Sequence, residues 1–99
     1  MVKHIILWKL KEMPAEEKQQ VLAGMKENLE ALVGKVPGLT RMNIVINPMD
    51  SSNADVMLDS DLESADALKG YQTHPDPVHV ANTYVRPYTE VRMCIDYEA

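Results

Sequence analysis

The sequence predicts an α+β domain with the order β-α-β-β-α-β, built on a four-stranded antiparallel sheet with its helices on one face. Stretches of period-two apolar alternation, stretches of helical spacing, and turn formers between them occur in that order along the chain. At 99 residues there is room for only one core, so residues 1–99 form a single domain. Two right-handed crossovers of this kind place both helical segments on the same side of the sheet.

The first strand covers residues 2–10, with Ile5 and Leu7 on one face and His4, Ile6 and Trp8 on the other. Both faces are apolar, so both need cover. Pro14 suits a first helical position, and Glu16 and Glu17 follow where the helix dipole favours acids. Val21, Leu22, Met25, Leu29, Leu32 and Val33 then recur at helical spacing, and Gly34 can end the helix in a left-handed cap. Residues 39–47 alternate, with Met42, Ile44 and Ile46 on one face; residues 54–59 alternate again after the loop-like Asn47–Asn53 stretch, making a hairpin. Ser60 and Glu63 match a capping box, which predicts a short helix from Ser60 with Leu62, Ala65 and Leu68 inward. Asp76-Pro77 reads as a second helical start over about residues 77–85, ended by Pro87. Residues 88–97 close the chain as a strand, with Val91, Met93 and Ile95 facing one way and Arg92, Cys94 and Asp96 the other.

This pattern leaves apolar sheet surface that helices on one side cannot cover, and an open apolar face of several hundred Å2 is unusual in a soluble monomer. A second copy packed face to face removes it, so the expectation is a homodimer joined through the sheet face and enclosing a barrel-like interior. Size argues the same way. A chain of this mass exposes roughly 5,700 Å2 when folded and about 16,200 Å2 unfolded, which makes a thin core.

Composition narrows the function. The net charge is −5 and no basic run exists, which argues against nucleic acid and anionic membrane as partners. No stretch reaches the ~18 apolar residues of a membrane helix, and the N-terminal apolar run is too short for a signal peptide. The one cysteine, Cys94, allows no intrachain disulfide and suits a reducing, cytoplasmic setting. It reads as a packed small residue in its strand. The glycines are dispersed and form no phosphate-cradling loop. Among His4, His74 and His79 no pair has the i,i+4 spacing of a helical zinc site, and no neighbouring cysteine completes a set, so neither a metal nor another cofactor is expected.

Val2-Lys3-His4-Ile5-Ile6-Leu7, Tyr71-Gln72-Thr73-His74-Pro75 and Ile95-Asp96-Tyr97, in this element order, resemble the stress-responsive dimeric α/β-barrel (Dabb) family along essentially the whole chain. The resemblance implies a ferredoxin-like protomer whose sheet pairs with that of a second copy into a dimeric α/β barrel. One plant member is a polyketide cyclase with its pocket between sheet and helices. There a histidine of a Tyr-x-x-His-Pro-x-His motif is the base and the tyrosine holds substrate. Carried over, the tyrosine is Tyr71, the first motif histidine is His74, and the N-terminal pocket histidine is His4. The position of the motif's second histidine is here Pro77, which cannot exchange a proton. His79, about 200° further round a helix, would face away.

The resulting candidates for binding a small apolar or aromatic ligand are His4, Ile6, Trp8, Tyr71 and His74, with no residue assigned as catalytic. Each polar candidate has a plainer reading. His4 is either a pocket wall able to exchange a proton near neutral pH or a hydrogen-bonded structural histidine. Tyr71 and His74 either meet a ligand or tie down their loop; His79 belongs to the surface or to helix packing. Three functions follow: a stress-responsive barrel holding a small ligand, a cyclase-like enzyme using His74 or His4 with Tyr71, and, on fold analogy alone, a cofactor-free monooxygenase or haem-handling protein.

Overall fold

The computed structural model describes residues 1–99. The elements are β1 (Val2–Leu10), α1 (Ala15–Glu30), β2 (Leu39–Val45), β3 (Val56–Leu62), α2 (Ala65–Thr73), α3 (Pro75–Val80) and β4 (Thr89–Glu98). One π-helical turn, Ala81–Val85, and a short 3-10 turn, Arg86–Tyr88, lead from α3 into β4. The sheet order is β2-β3-β1-β4, antiparallel throughout. The chain thus has the ferredoxin-like arrangement its pattern predicts.

Alternate residues of β1 go to opposite environments. Val2, His4, Ile6, Trp8 and Leu10 are buried beneath the helices, together with Ile44 of β2 and Leu58 and Leu62 of β3. Val21, Leu22, Met25 and Leu29 supply the inward stripe of α1. Asp55 finishes the end of this layer: its carboxylate accepts the Leu10 amide at 2.8 Å, and its own amide donates to the Trp8 carbonyl at 2.9 Å.

Three helix starts differ from the sequence expectation. Ser60 caps nothing; β3 runs on to Leu62, and Ser60 lies fully buried within it. Leu58, Ser60 and Leu62 share one face, so the period-two burial of two leucines outweighs a local capping pattern. Ser60 pairs across the sheet with His4 and donates its hydroxyl to the His4 carbonyl at 2.8 Å, so its polarity is satisfied. The cap of α2 is Ser64, which accepts from the Ala67 amide at 3.1 Å. Likewise α3 starts at Pro75, not Pro77. Its cap is His74, whose Nδ1 accepts from the Asp76 amide at 3.1 Å, in place of the expected Asp76. Pro14 stands just ahead of α1, with extended backbone.

Gly38 seats α2 against the start of β2. Its φ is 81°, and a Cβ there would lie 2.5 Å from that of Ala67, so only glycine lets α2 approach. That approach carries Tyr71, two turns on from Ser64, down onto the sheet.

The other face of the sheet is bare. Leu7 is 41 % exposed, Met93 67 % and Ile95 60 %, and Val91 and Tyr97 extend the stripe. Register pairs Ile5 with Ile95 and Leu7 with Met93, so the apolar strip is continuous across β1 and β4. It is bordered by charges. Arg41 binds Asp61 through Nε at 3.0 Å and Asp59 through Nη2 at 2.8 Å, and Lys3 also pairs with Asp61. The protomer exposes 6082 Å2, more than the roughly 5,700 Å2 expected of a closed monomer of this mass.

Candidate functional site

A cavity of about 400 Å3 opens between the helix-side face of the sheet and the segment from α2 through the 3-10 turn. Ile6, Trp8, Leu29, Leu58 and Val85 form its apolar walls, and His4 and Tyr71 contribute polar groups to it. Four of the five candidates, His4, Ile6, Trp8 and Tyr71, therefore come together. His74 stands outside the lining, occupied as the cap of α3. Pro77 is buried and lines the cavity, whereas His79 is exposed. The position where the motif carries its second histidine does face the cavity, and this chain puts a saturated ring there.

The polar end is built by the two terminal strands. Antiparallel pairing sets His4 opposite Asp96 and Ile6 opposite Cys94. His4 is 1 % exposed, and its Nδ1 lies 2.5 Å from Asp96 Oδ1. A carboxylate only accepts, so Nδ1 carries the hydrogen, and in a neutral ring the lone pair then falls on Nε2. Nε2 has no partner within the chain, yet no fully buried polar side-chain atom is left without one, so Nε2 is in contact with the cavity. Tyr71 packs with His4 edge to face, ring centroids 5.8 Å apart at 61°. Burial pushes its phenol up to about 12, with Arg92 pulling weakly the other way, so the hydroxyl is a donor over the whole physiological range.

This arrangement has the parts of a proton-transfer site. A buried imidazole is oriented by a carboxylate, a free Nε2 faces an apolar space, and a protonated phenol stands beside it.

Cys94 joins the same cluster. Its Sγ lies 3.7 Å from His4 Nδ1 and 3.5 Å from Asp96 Oδ1, and the three donors are mutually within 4.8 Å. Sequence spacing offers the histidines no cysteine; the sheet supplies one. The three could hold a transition-metal ion, at the expense of the His4–Asp96 hydrogen bond, which uses the same atoms. Loss of water around the thiol, and then the Asp96 carboxylate, push the Cys94 pKa up, while Arg92 opposes the rise.

Asp96, Arg86 and Arg92 are the site residues the sequence reading passed over. The alternation of β4 puts Arg92, Cys94 and Asp96 on one face, and the β1–β4 register makes it the face shared with His4. Arg86 lies in a turn and carried no periodic signal.

Fold and cavity together define a ferredoxin-like α+β protomer with a ligand-sized space between sheet and helices. Residues 2–99 match the stress-responsive A/B barrel domain, and the chain belongs to that Dabb family. A dimeric ferredoxin-like protein of unknown function from Bacteroides fragilis is 34 % identical, with 99 % of this chain and 95 % of that one covered at a TM-score of 0.92. A Dabb family protein from Mesorhizobium loti shares 20 % identity over 99 % of this chain and 95 % of its own, at a TM-score of 0.76. SnoaB, a cofactor-independent oxygenase from Streptomyces nogalater, shares the fold at 17 % identity and a TM-score of 0.69, over 99 % of this chain and 91 % of its own. No curated protein matches the sequence. No helix is long and apolar enough to cross a membrane.

Proposed function

We propose that the chain works as a homodimer, joined through the bare sheet face, in which each protomer holds a small apolar or aromatic ligand in the His4–Tyr71 cavity. The observation that carries the ligand reading is His4 itself: buried, fixed by Asp96, and left with an unpartnered Nε2 against an apolar cavity. A purely structural histidine would have both nitrogens satisfied within the chain. The continuous strip of Ile5, Leu7, Met93 and Ile95 supports the pairing, as does the dimeric state of the 34 % identical B. fragilis protein. A cytoplasmic setting fits the single unpaired cysteine.

Trp8 is the reporter, being 4 % exposed and in the cavity wall. Hydrophobic aromatic ligands are expected to change its fluorescence, and Tyr71→Phe and His4→Gln each to weaken the response about tenfold, the value of one charge-assisted or buried hydrogen bond. A fluorescence that stays flat across a varied ligand set would remove the cavity reading.

The His4–Asp96 pair favours a second reading, an enzyme of the polyketide-cyclase kind. His4 would remove a proton next to a carbonyl, and Tyr71 would donate to the resulting enolate. Under this reading Asp96→Asn slows turnover of a 1,3-dicarbonyl probe roughly 10²- to 10⁴-fold. His74→Ala leaves the rate near wild type, because His74 caps α3 outside the cavity. Equal losses in the two variants would count against His4 as the base. The oxygenase reading rests on fold likeness and has no residue in the cavity to recommend it.

A further inference from the structure

The cavity also carries positive charge. The chain has three arginines, and Arg41 is committed to Asp59 and Asp61 on the open face. The other two, Arg86 and Arg92, both line the cavity. Neither makes an ion pair: Arg86 Nη1 donates to the neutral Asn82 Oδ1 at 2.7 Å, and Arg92 faces the Cys94 thiol. In a protein with fifteen acidic residues, none lines this cavity; the nearby Asp96 carboxylate is hydrogen-bonded to His4. Two unpaired guanidiniums at the edge of an apolar space are a fixed positive field, and their planar forks match a carboxylate.

Trp8 pairs with Arg92, whose guanidinium reaches along β4 to the Cys94 thiol and acts on the Tyr71 phenol, so it stands on the same side of the cavity as His4 and Tyr71. Ile6 and Trp8 form the apolar wall beside these groups. The ligand space therefore has one apolar wall and one polar side, where positive charge and hydrogen-bonding groups lie together. No glycine-rich loop and no lysine lines it, and the guanidiniums meet a carboxylate without the backbone cradle a phosphate ester uses.

We infer that the ligand is an apolar monoacid: its carboxylate meets Arg86 and Arg92 on the polar side of the cavity, and its aromatic or acyl body lies along Ile6 and Trp8. This rests on the cavity being a ligand site and adds the charge of the ligand.

Matched probes separate the two claims. Trp8 fluorescence of the full-length protein is titrated with 3-(4-hydroxyphenyl)propionate, its methyl ester and 4-hydroxyphenyl phosphate. The acid is expected to bind at least tenfold more tightly than the ester. Arg92→Gln and Arg86→Gln should each remove most of that preference while changing ester affinity less than twofold, and raising salt should weaken the acid alone. Equal affinity for acid and ester, or a preference that survives both arginine substitutions, overturns the monoacid inference and leaves the cavity reading standing. Tighter binding of the phosphate than of the acid overturns the carboxylate assignment. No response to any probe overturns the inference and the cavity reading together.

Discussion

One strand serves two faces that have little else in common. The even residues of β1, from Val2 to Leu10, face helices and a cavity; the odd residues, from Lys3 to Lys9, face outward with β4. On the closed face, apolar side chains are buried within a single protomer, and the polar groups are paired or turned to the cavity. On the open face, side chains as apolar as Met93 and Ile95 stay more than half exposed, inside a rim of ion pairs. The lesson is that hydrophobicity alone does not say what a residue stabilises. An apolar residue beneath the helices holds the protomer together. The same kind of residue on the open side can act only by meeting another molecule.

The largest expected effect tests that division directly. Leu58 is 1 % exposed, at the centre of the closed face. Leu58→Ala should cost about 2–5 kcal/mol, from lost transfer energy and a cavity, seen as a lower urea midpoint at every protein concentration. Met93→Ala removes a similar volume from the open face. Its cost should appear only through association, growing with protein concentration and vanishing in dilute solution. If the two variants behaved alike under dilution, the two faces would not differ as argued.

Next comes Ile95→Asp. Across a two-fold interface each substitution occurs twice, and an unpaired carboxylate in a dry contact is costly. A loss of about 3 kcal/mol, or on the order of 100-fold in dimer dissociation constant, is expected by sedimentation, with the far-UV dichroism of the protomer retained. A wild-type dimer that Ile95→Asp leaves intact would move the interface elsewhere.

The two faces also differ in how far the sequence revealed them. The open face was legible because it depends on period-two alternation. Val91, Met93 and Ile95 announce it, and β1, apolar on both sides, requires a cover for each. The closed face was legible in its walls and less so in its chemistry. Ile6, Trp8 and His4 follow from the alternation of β1, and Tyr71 from the family motif. Asp96 becomes visible only once the register of β1 against β4 is known, because 92 residues separate it from His4. His74 shows the reverse. Its motif suggested a ligand contact, whereas local geometry, with Pro75 fixing the first turn of α3, gave its ring a backbone amide to cap. Ser60 makes the same point: a four-residue capping pattern lost to two leucines that needed burial.

The smallest expected effects are pH dependences, and the two faces should fail at opposite ends of the scale. Hydrogen bonds from Arg41, and then from Lys3, hold the Asp61 carboxyl below its ordinary value. A lowered folded-state pKa gives stability that is complete above the unfolded value of about 3.9 and lost as pH falls through the folded one. Asp61 lies on the open face, so this acid loss should appear in both unfolding and dimer dissociation below about pH 4, and Asp61→Asn should flatten it. Tyr71, on the closed face, is raised to about 12 by burial. The unfolded chain gives up that proton from about pH 10, so this contribution is complete below 10 and is lost as pH rises through about 12. Absorbance at tyrosinate wavelengths should show one of the four tyrosines ionising late, near pH 12. Tyr71→Phe should remove that late step without altering the acid one. If the late step belonged to Tyr97 on the open face, the two faces would have been assigned the wrong way round.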